Sequence, residues 1–163
     1  MKRLCTATIS GLVFACQASF ASEPPKSSYV GQEQRGIKAL SEQDVNDLRA
    51  GRGMGLSKVA ELNSFPGPAH VLELARALDL SDSQRTGTRE IFEHMQVSAQ
   101  KLGPQIIANE EALDSEFKAG RPDPVAVKRL IAESAALQGR LRAVHVAAHL
   151  ETATLLSDAQ IRA

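Results

Sequence analysis

His145-Val146-Ala147-Ala148-His149 sets two imidazoles four residues apart. On a helix that spacing puts both on one face, close enough to chelate a single divalent cation. Two nitrogens do not complete a site, because Zn²⁺ takes about four ligands. His70, His94, Met95 and Glu61 are the candidates for the others, with Glu73, Glu93 and Glu151 as further carboxylates. His94-Met95 is attractive if a facing helix brings it level with His145. The alternative is that the two histidines flank an apolar seam as half-buried helical residues. No cofactor is required by either reading, and the metal reading admits Zn, Ni, Co or Cu.

Other chemistry finds little support. No serine sits in a G-x-S-x-G elbow, and there is no H-E-x-x-H. Gly51-Arg52-Gly53-Met54-Gly55 lacks the Gly-Lys-Ser/Thr of a phosphate loop and follows a helical pattern rather than a strand. Glu110-Glu111 reads as a pair of solvated carboxylates on a helix surface. So few convergent polar groups do not suggest an enzyme.

The elements that must carry these residues are helices. Aromatic residues are only 4% of the chain and Trp is absent, against abundant Ala and Leu, which favours helix over sheet. Ser41-Glu42-Gln43-Asp44 opens a short helix to Ala50, with Gly51 as its stop. An apolar turn follows around Leu56 to Leu62, then the break Phe65-Pro66-Gly67-Pro68, with Pro68 opening a helix that includes His70 to Leu78. A long helix is predicted from the Ser81 cap to about Ala119, with Phe92, Met95, Ala99, Leu102, Ile106, Leu113 and Phe117 at helical spacing. Pro104 should kink or divide it. After Gly120-Arg121-Pro122-Asp123-Pro124, a second long helix runs from Val125 to about Leu155, with Val127, Leu130, Leu137, Leu141, Val144, Ala148 and Leu155 in its seam. The expected fold is all-α: a long, kinked, antiparallel helical hairpin with short flanking helices. Long helices in a small chain call for a partner surface, and an antiparallel homodimer is expected to supply it.

The N-terminus reads as an export signal over residues 1–21. Lys2 and Arg3 precede a short apolar run from Leu4 to Ala15, and Ser19-Phe20-Ala21 offers small residues for cleavage. The run is too short to span a bilayer, so no transmembrane segment is expected and the compartment is the periplasm. Val13-Phe14-Ala15-Cys16 loosely resembles a lipoprotein signal, but Phe14 fits it poorly, and anchoring at Cys16 is not expected. Both cysteines, Cys5 and Cys16, would leave with the signal, removing disulfides and thiolate sites. Removing Lys2 and Arg3 from the 19 basic residues leaves 17 against 19 acidic, which gives no reason to expect nucleic acid. Residues 22–40, with Pro24-Pro25 and Ser27-Ser28, read as a flexible lead. Residues 41–163 then form the single helical domain.

Two short boxes frame the hairpin: Leu80-Ser81-Asp82-Ser83-Gln84 and Leu156-Ser157-Asp158-Ala159-Gln160. In each, Ser caps a helix and Gln three residues on can reach back to the cap's own N–H. The pair resembles the L-T-x-x-Q repeats of the Spy/CpxP family of small all-helical periplasmic proteins. Chaperones that work without ATP, envelope-stress adaptors and heavy-metal sensors belong to that family. The resemblance covers roughly Leu78 to Gln160. Ser stands for Thr in both boxes, the segment from Gly51 to Pro68 is not part of the pattern, and the sequence stops three residues after the second box. It implies that Leu80, Ser81, Gln84, Leu156, Ser157 and Gln160 shape the fold. It implies a chaperone or stress adaptor holding unfolded envelope proteins on an apolar surface rimmed by charge, or docking on a membrane sensor protein. The alternative it implies is a metal-binding sensor or resistance accessory, since metal-sensing members bind between helices through His-x-x-x-His pairs like His145/His149.

Overall fold

Four helices of this protein begin where a short side chain takes up an orphan backbone N–H. In the computed structural model, which describes residues 27–163, six helices follow a 3-10 turn at Gln32–Gln34. They are α1 (Glu42–Ala50), α2 (Lys58–Glu61), α3 (Pro68–Glu73), α4 (Asp82–Lys118), α5 (Pro124–Leu155) and α6 (Asp158–Arg162). No strand occurs among the described residues, and the fold is all-α. Ser41, Ser81 and Ser157 each accept from the backbone N–H three residues on, and the residue there returns a bond to the cap, so all three close as capping boxes. Asp123 caps α5 ahead of Pro124. Gly51 ends α1 in the left-handed conformation at φ 67°, which an L side chain adopts only under strain.

The two long helices pack along their length as an antiparallel pair. At one end Gln84 meets Leu155 and Gln160, and nearer the connection Asn109 meets Leu130. Leu48 of α1, Ala99, Ile106 and Ile107 of α4, and Leu137 and Leu141 of α5 make the core. This is burial of apolar stripes from three helices, the main favourable term in such a fold. Packing reaches further toward the N-terminus than residue 41: Ile37 and Leu40 lie against the core, and Lys118 Nζ donates to the Gly36 carbonyl at 3.1 Å.

Several expectations need correction. Pro104 does not divide α4, which stays one helix of 37 residues. Proline normally disfavours helix at the residue before it through a clash with that residue's Cβ, and here that residue is Gly103, which has none. The helix opened by Pro68 closes at Glu73 rather than Leu78. Residues 74–78 continue as turns and end at Asp79, left-handed at φ 46°, with Leu80 N–H donating to the Ala75 carbonyl at 3.0 Å. Phe117, assigned to the seam, is 59% exposed. Glu110 is buried rather than solvated, and its carboxylate accepts from Ser134 Oγ at 2.7 Å. Its neighbour Asn109 is buried too and donates to the Leu130 carbonyl at 3.0 Å. The hairpin thus carries a polar cross-link in its interior.

The two serine boxes meet. Gln84 Nε2 donates to the Leu155 carbonyl at 2.8 Å and to Gln160 Oε1 at 2.9 Å. Gln160 Nε2 answers with the Leu78 carbonyl at 3.0 Å and Gln84 Oε1 at 3.2 Å. Each amide therefore closes its own cap with its oxygen and reaches across with its nitrogen, which clasps the start of α4 to the start of α6. Replacing either glutamine by Ala is expected to cost about 1–2 kcal/mol, since a cap partner and a cross-helix bond go together. In urea unfolding, the double variant should lose about 0.5–1 kcal/mol less than the two single losses added. Strict additivity would show that the two amides act separately.

Candidate metal centre

Between the short helices and the hairpin lies a cavity of about 370 Å³. Its wall is made by the Gly51–Ser57 connection, by α2 and the start of α3, and by facing residues of α4 and α5. Two turns bring these pieces together. After α2 the chain reverses at Ser64, left-handed at φ 66°, and Phe65 N–H donates back to the Ala60 carbonyl at 3.0 Å. Pro66-Gly67-Pro68 then lies over α5. A Cβ placed on Gly67 would stand 2.8 Å from both Cε1 and Nε2 of His149, so only glycine allows this approach.

His149 is the best-defined group in the cavity. It is 6% exposed, and its Nδ1 lies 2.8 Å from the Phe65 carbonyl. A carbonyl only accepts, so Nδ1 carries the hydrogen and Nε2 is the nitrogen left to face the cavity. That nitrogen stands 3.9 Å from Glu61 Oε1. On the other side, His70 Nδ1 lies 3.4 Å from the same oxygen. One carboxylate is thus flanked by two imidazoles from two other elements.

The donor set can be tested against a metal ion. Metal–nitrogen and metal–oxygen bonds of about 2.1 Å in a tetrahedron place neighbouring donors about 3.4 Å apart. The Glu61–His70 pair matches that edge, and the Glu61–His149 pair at 3.9 Å is about half an ångström wide of it. Among the described residues no group of three or more His, Cys, Asp or Glu is placed to hold a metal ion as it stands. The residues nevertheless fit in type, since imidazole and carboxylate suit Zn, Co, Ni and Cu(II). They also fit in their outer contacts: an imidazole that binds metal through one nitrogen is commonly oriented by a carbonyl on the other, as His149 is by Phe65.

His145, the partner in the i, i+4 pair, lines the same cavity but in a different state. It is 2% exposed, and its Nε2 is buried with no hydrogen-bond partner. Burial pushes its pKa below the ordinary histidine value, and the neighbouring His149 adds to the shift, so the neutral ring is favoured. Ser57 Oγ, on the same wall, is also buried without a partner.

Of the six candidates read from the sequence, Glu61, His70, Met95, His145 and His149 line this one cavity. His94 does not. It lines a smaller space of about 140 Å³ with Ile91 and Glu151, and only its neighbour Met95 borders both. Glu73 and Glu93 line neither. Sequence reasoning missed Ser57, Phe65 and Gly67. A glycine between two prolines, following an aromatic residue, was the available signal for a close backbone approach.

Compared with protein-family models, with curated proteins and with solved structures, the chain matches none. Among the described residues no helix is long and apolar enough to cross a membrane.

Proposed function

We propose that this protein binds a divalent transition-metal ion between α2, α3 and α5, with Glu61, His70 and His149 as ligands, and serves the envelope as a metal-binding sensor or resistance accessory. The observation that carries the proposal is His149 itself. Its Nδ1–H is held by the Phe65 carbonyl, which turns Nε2 toward Glu61. An ion held there would tie the α2–α3 segment to the hairpin. The export signal expected over residues 1–21, which lie outside the described residues, and the resemblance carried by the paired serine boxes support placing this activity in the periplasm.

A chaperone surface is the second reading. Its support is local: Val59 and Leu62 of the α2 region are 53% and 75% exposed, and Phe65 is 39% exposed beside them. Such a surface would hold clients without any histidine, so the two readings part on Glu61.

Titration of the protein with Co²⁺, followed by visible absorption, tests the metal reading. One equivalent should bind at micromolar or tighter affinity, with the intense bands of a low-coordinate nitrogen–oxygen site. Glu61→Gln keeps the shape of the side chain but removes its charge, and should weaken binding about 100-fold, near 2.7 kcal/mol. Absence of binding in the unaltered protein would refute the proposal and return the flanked carboxylate to an ordinary ion pair.

A further inference from the structure

Three of the four histidines of the chain line the cavity, and so do Met54 and Met95, both of the methionines other than Met1. Soft and borderline donors are therefore concentrated at one place in a protein that has no cysteine after Cys16. Their positions separate into two groups. Glu61, His70 and His149 come together through one carboxylate oxygen. His145, Met95 and Met54 share the wall made by α4, α5 and the Gly51–Ser57 connection. Met95 is only 8% exposed and faces α5 from α4. Met54 is 42% exposed at a turn where the backbone is held left-handed at φ 48°.

The His145 ring makes no hydrogen bond although its Nε2 is sealed from water. Buried polar nitrogens are nearly always satisfied, so an orphan of this kind marks a missing partner. The same cavity wall carries the thioethers of Met95 and Met54, beside Ser57 Oγ. An imidazole joined by thioether sulfurs is a poor set for Zn²⁺ or Ni²⁺ and a good one for Cu(I), which is soft and accepts low coordination.

We infer that the cavity holds a second, inner subsite for a cuprous ion, formed by His145 with the thioethers of Met95 and Met54, beside the divalent site at Glu61. The inference rests on the cavity being a metal site, as proposed above, but it names different residues and a different ion. Met54, on an exposed turn, is the entry ligand, and Met95 and His145 are the fixed ones.

Competition for Cu(I) against bicinchoninate under ascorbate, run beside the Co²⁺ titration, separates the two sites. One equivalent of Cu(I) should bind. Met95→Leu and Met54→Leu should each weaken it at least 10-fold, and His145→Gln at least 100-fold, while Co²⁺ binding stays within twofold in both methionine variants. Leucine nearly conserves the methionine volume, so the fold should hold, and the exposed Met54 position keeps the test valid if Met95→Leu does not fold. Copper absorption spectra of the unaltered protein should show sulfur scatterers. Cu(I) binding that ignores both methionines, or that is lost with Glu61→Gln alone, would overturn the inner subsite. Co²⁺ binding with no Cu(I) binding would overturn it and leave the divalent site standing. Silence toward both ions would overturn both.

Discussion

Gly103→Ala is expected to destabilise the protein by at least about 2 kcal/mol, although alanine is the better helix former by about 1 kcal/mol. A Cβ at this position would lie 2.0 Å from the Leu48 carbonyl oxygen and 2.6 Å from its carbon. Both atoms are backbone, so no rotamer change relieves the clash. The end of α1 would have to lift from α4, taking Leu48 out of the core it shares with Ala99 and Ile106. Gly139 is the control. It lies on the exposed face of α5 with open space around it, and Gly139→Ala should gain about 1 kcal/mol from helix propensity alone. Urea unfolding of the two variants should therefore move in opposite directions. A stabilised Gly103→Ala protein would mean that α1 does not cross α4 at this point.

Gly67→Ala should act on the site rather than on the core. Gly67 has φ −78°, which alanine accepts, so the backbone is not the obstacle. The obstacle is the His149 ring, 2.8 Å from the new methyl at both Cε1 and Nε2. The ring cannot swing aside and keep its bond to the Phe65 carbonyl, since Phe65 is only two residues away on the same rigid Pro66-Gly67-Pro68 turn. Either the turn lifts or the histidine loses its orientation. Loss of an orienting contact alone costs metal sites about 10–100-fold in affinity, and here the ligand nitrogen is also blocked, so about 100-fold or more is expected. The Co²⁺ titration reads it directly. Unchanged affinity would exclude Nε2 of His149 as a ligand.

The starts of the helices were legible because they depend on neighbours in sequence. Ser41, Ser81, Asp123 and Ser157 each find their partner within three residues, and no tertiary contact is needed to read them. Interior features were less legible. Pro104 argued for a break, and the absence of a Cβ at Gly103, together with packing on α1 and α5, kept α4 whole. Glu110 and Glu111 look alike in sequence, and only the rotation of α4 decides that Glu110 turns inward to Ser134. The same holds for the metal residues. The His145/His149 spacing was readable as a face of a helix, but which other donors reach it was not. His94 is close to Met95 in sequence and belongs to another space. Glu61 and His70 arrive on the short helices α2 and α3, carried there by the left-handed Ser64 and by Gly67 in a break that read as punctuation.

The buried link between Asn109, Glu110, Leu130 and Ser134 bears on the cavity although it stands well along the hairpin from it. Apolar stripes are forgiving rulers: sliding α4 by two turns, about 11 Å, would still set leucine and isoleucine against leucine. The same slide would present Leu102 where Met95 now faces the cavity. It would also strand a carboxylate and an amide in hydrocarbon, which is costly enough to forbid the slide. The polar pair thus acts as the zero mark of the ruler, and the choice of metal donors at one end of the hairpin is calibrated by hydrogen bonds toward the other.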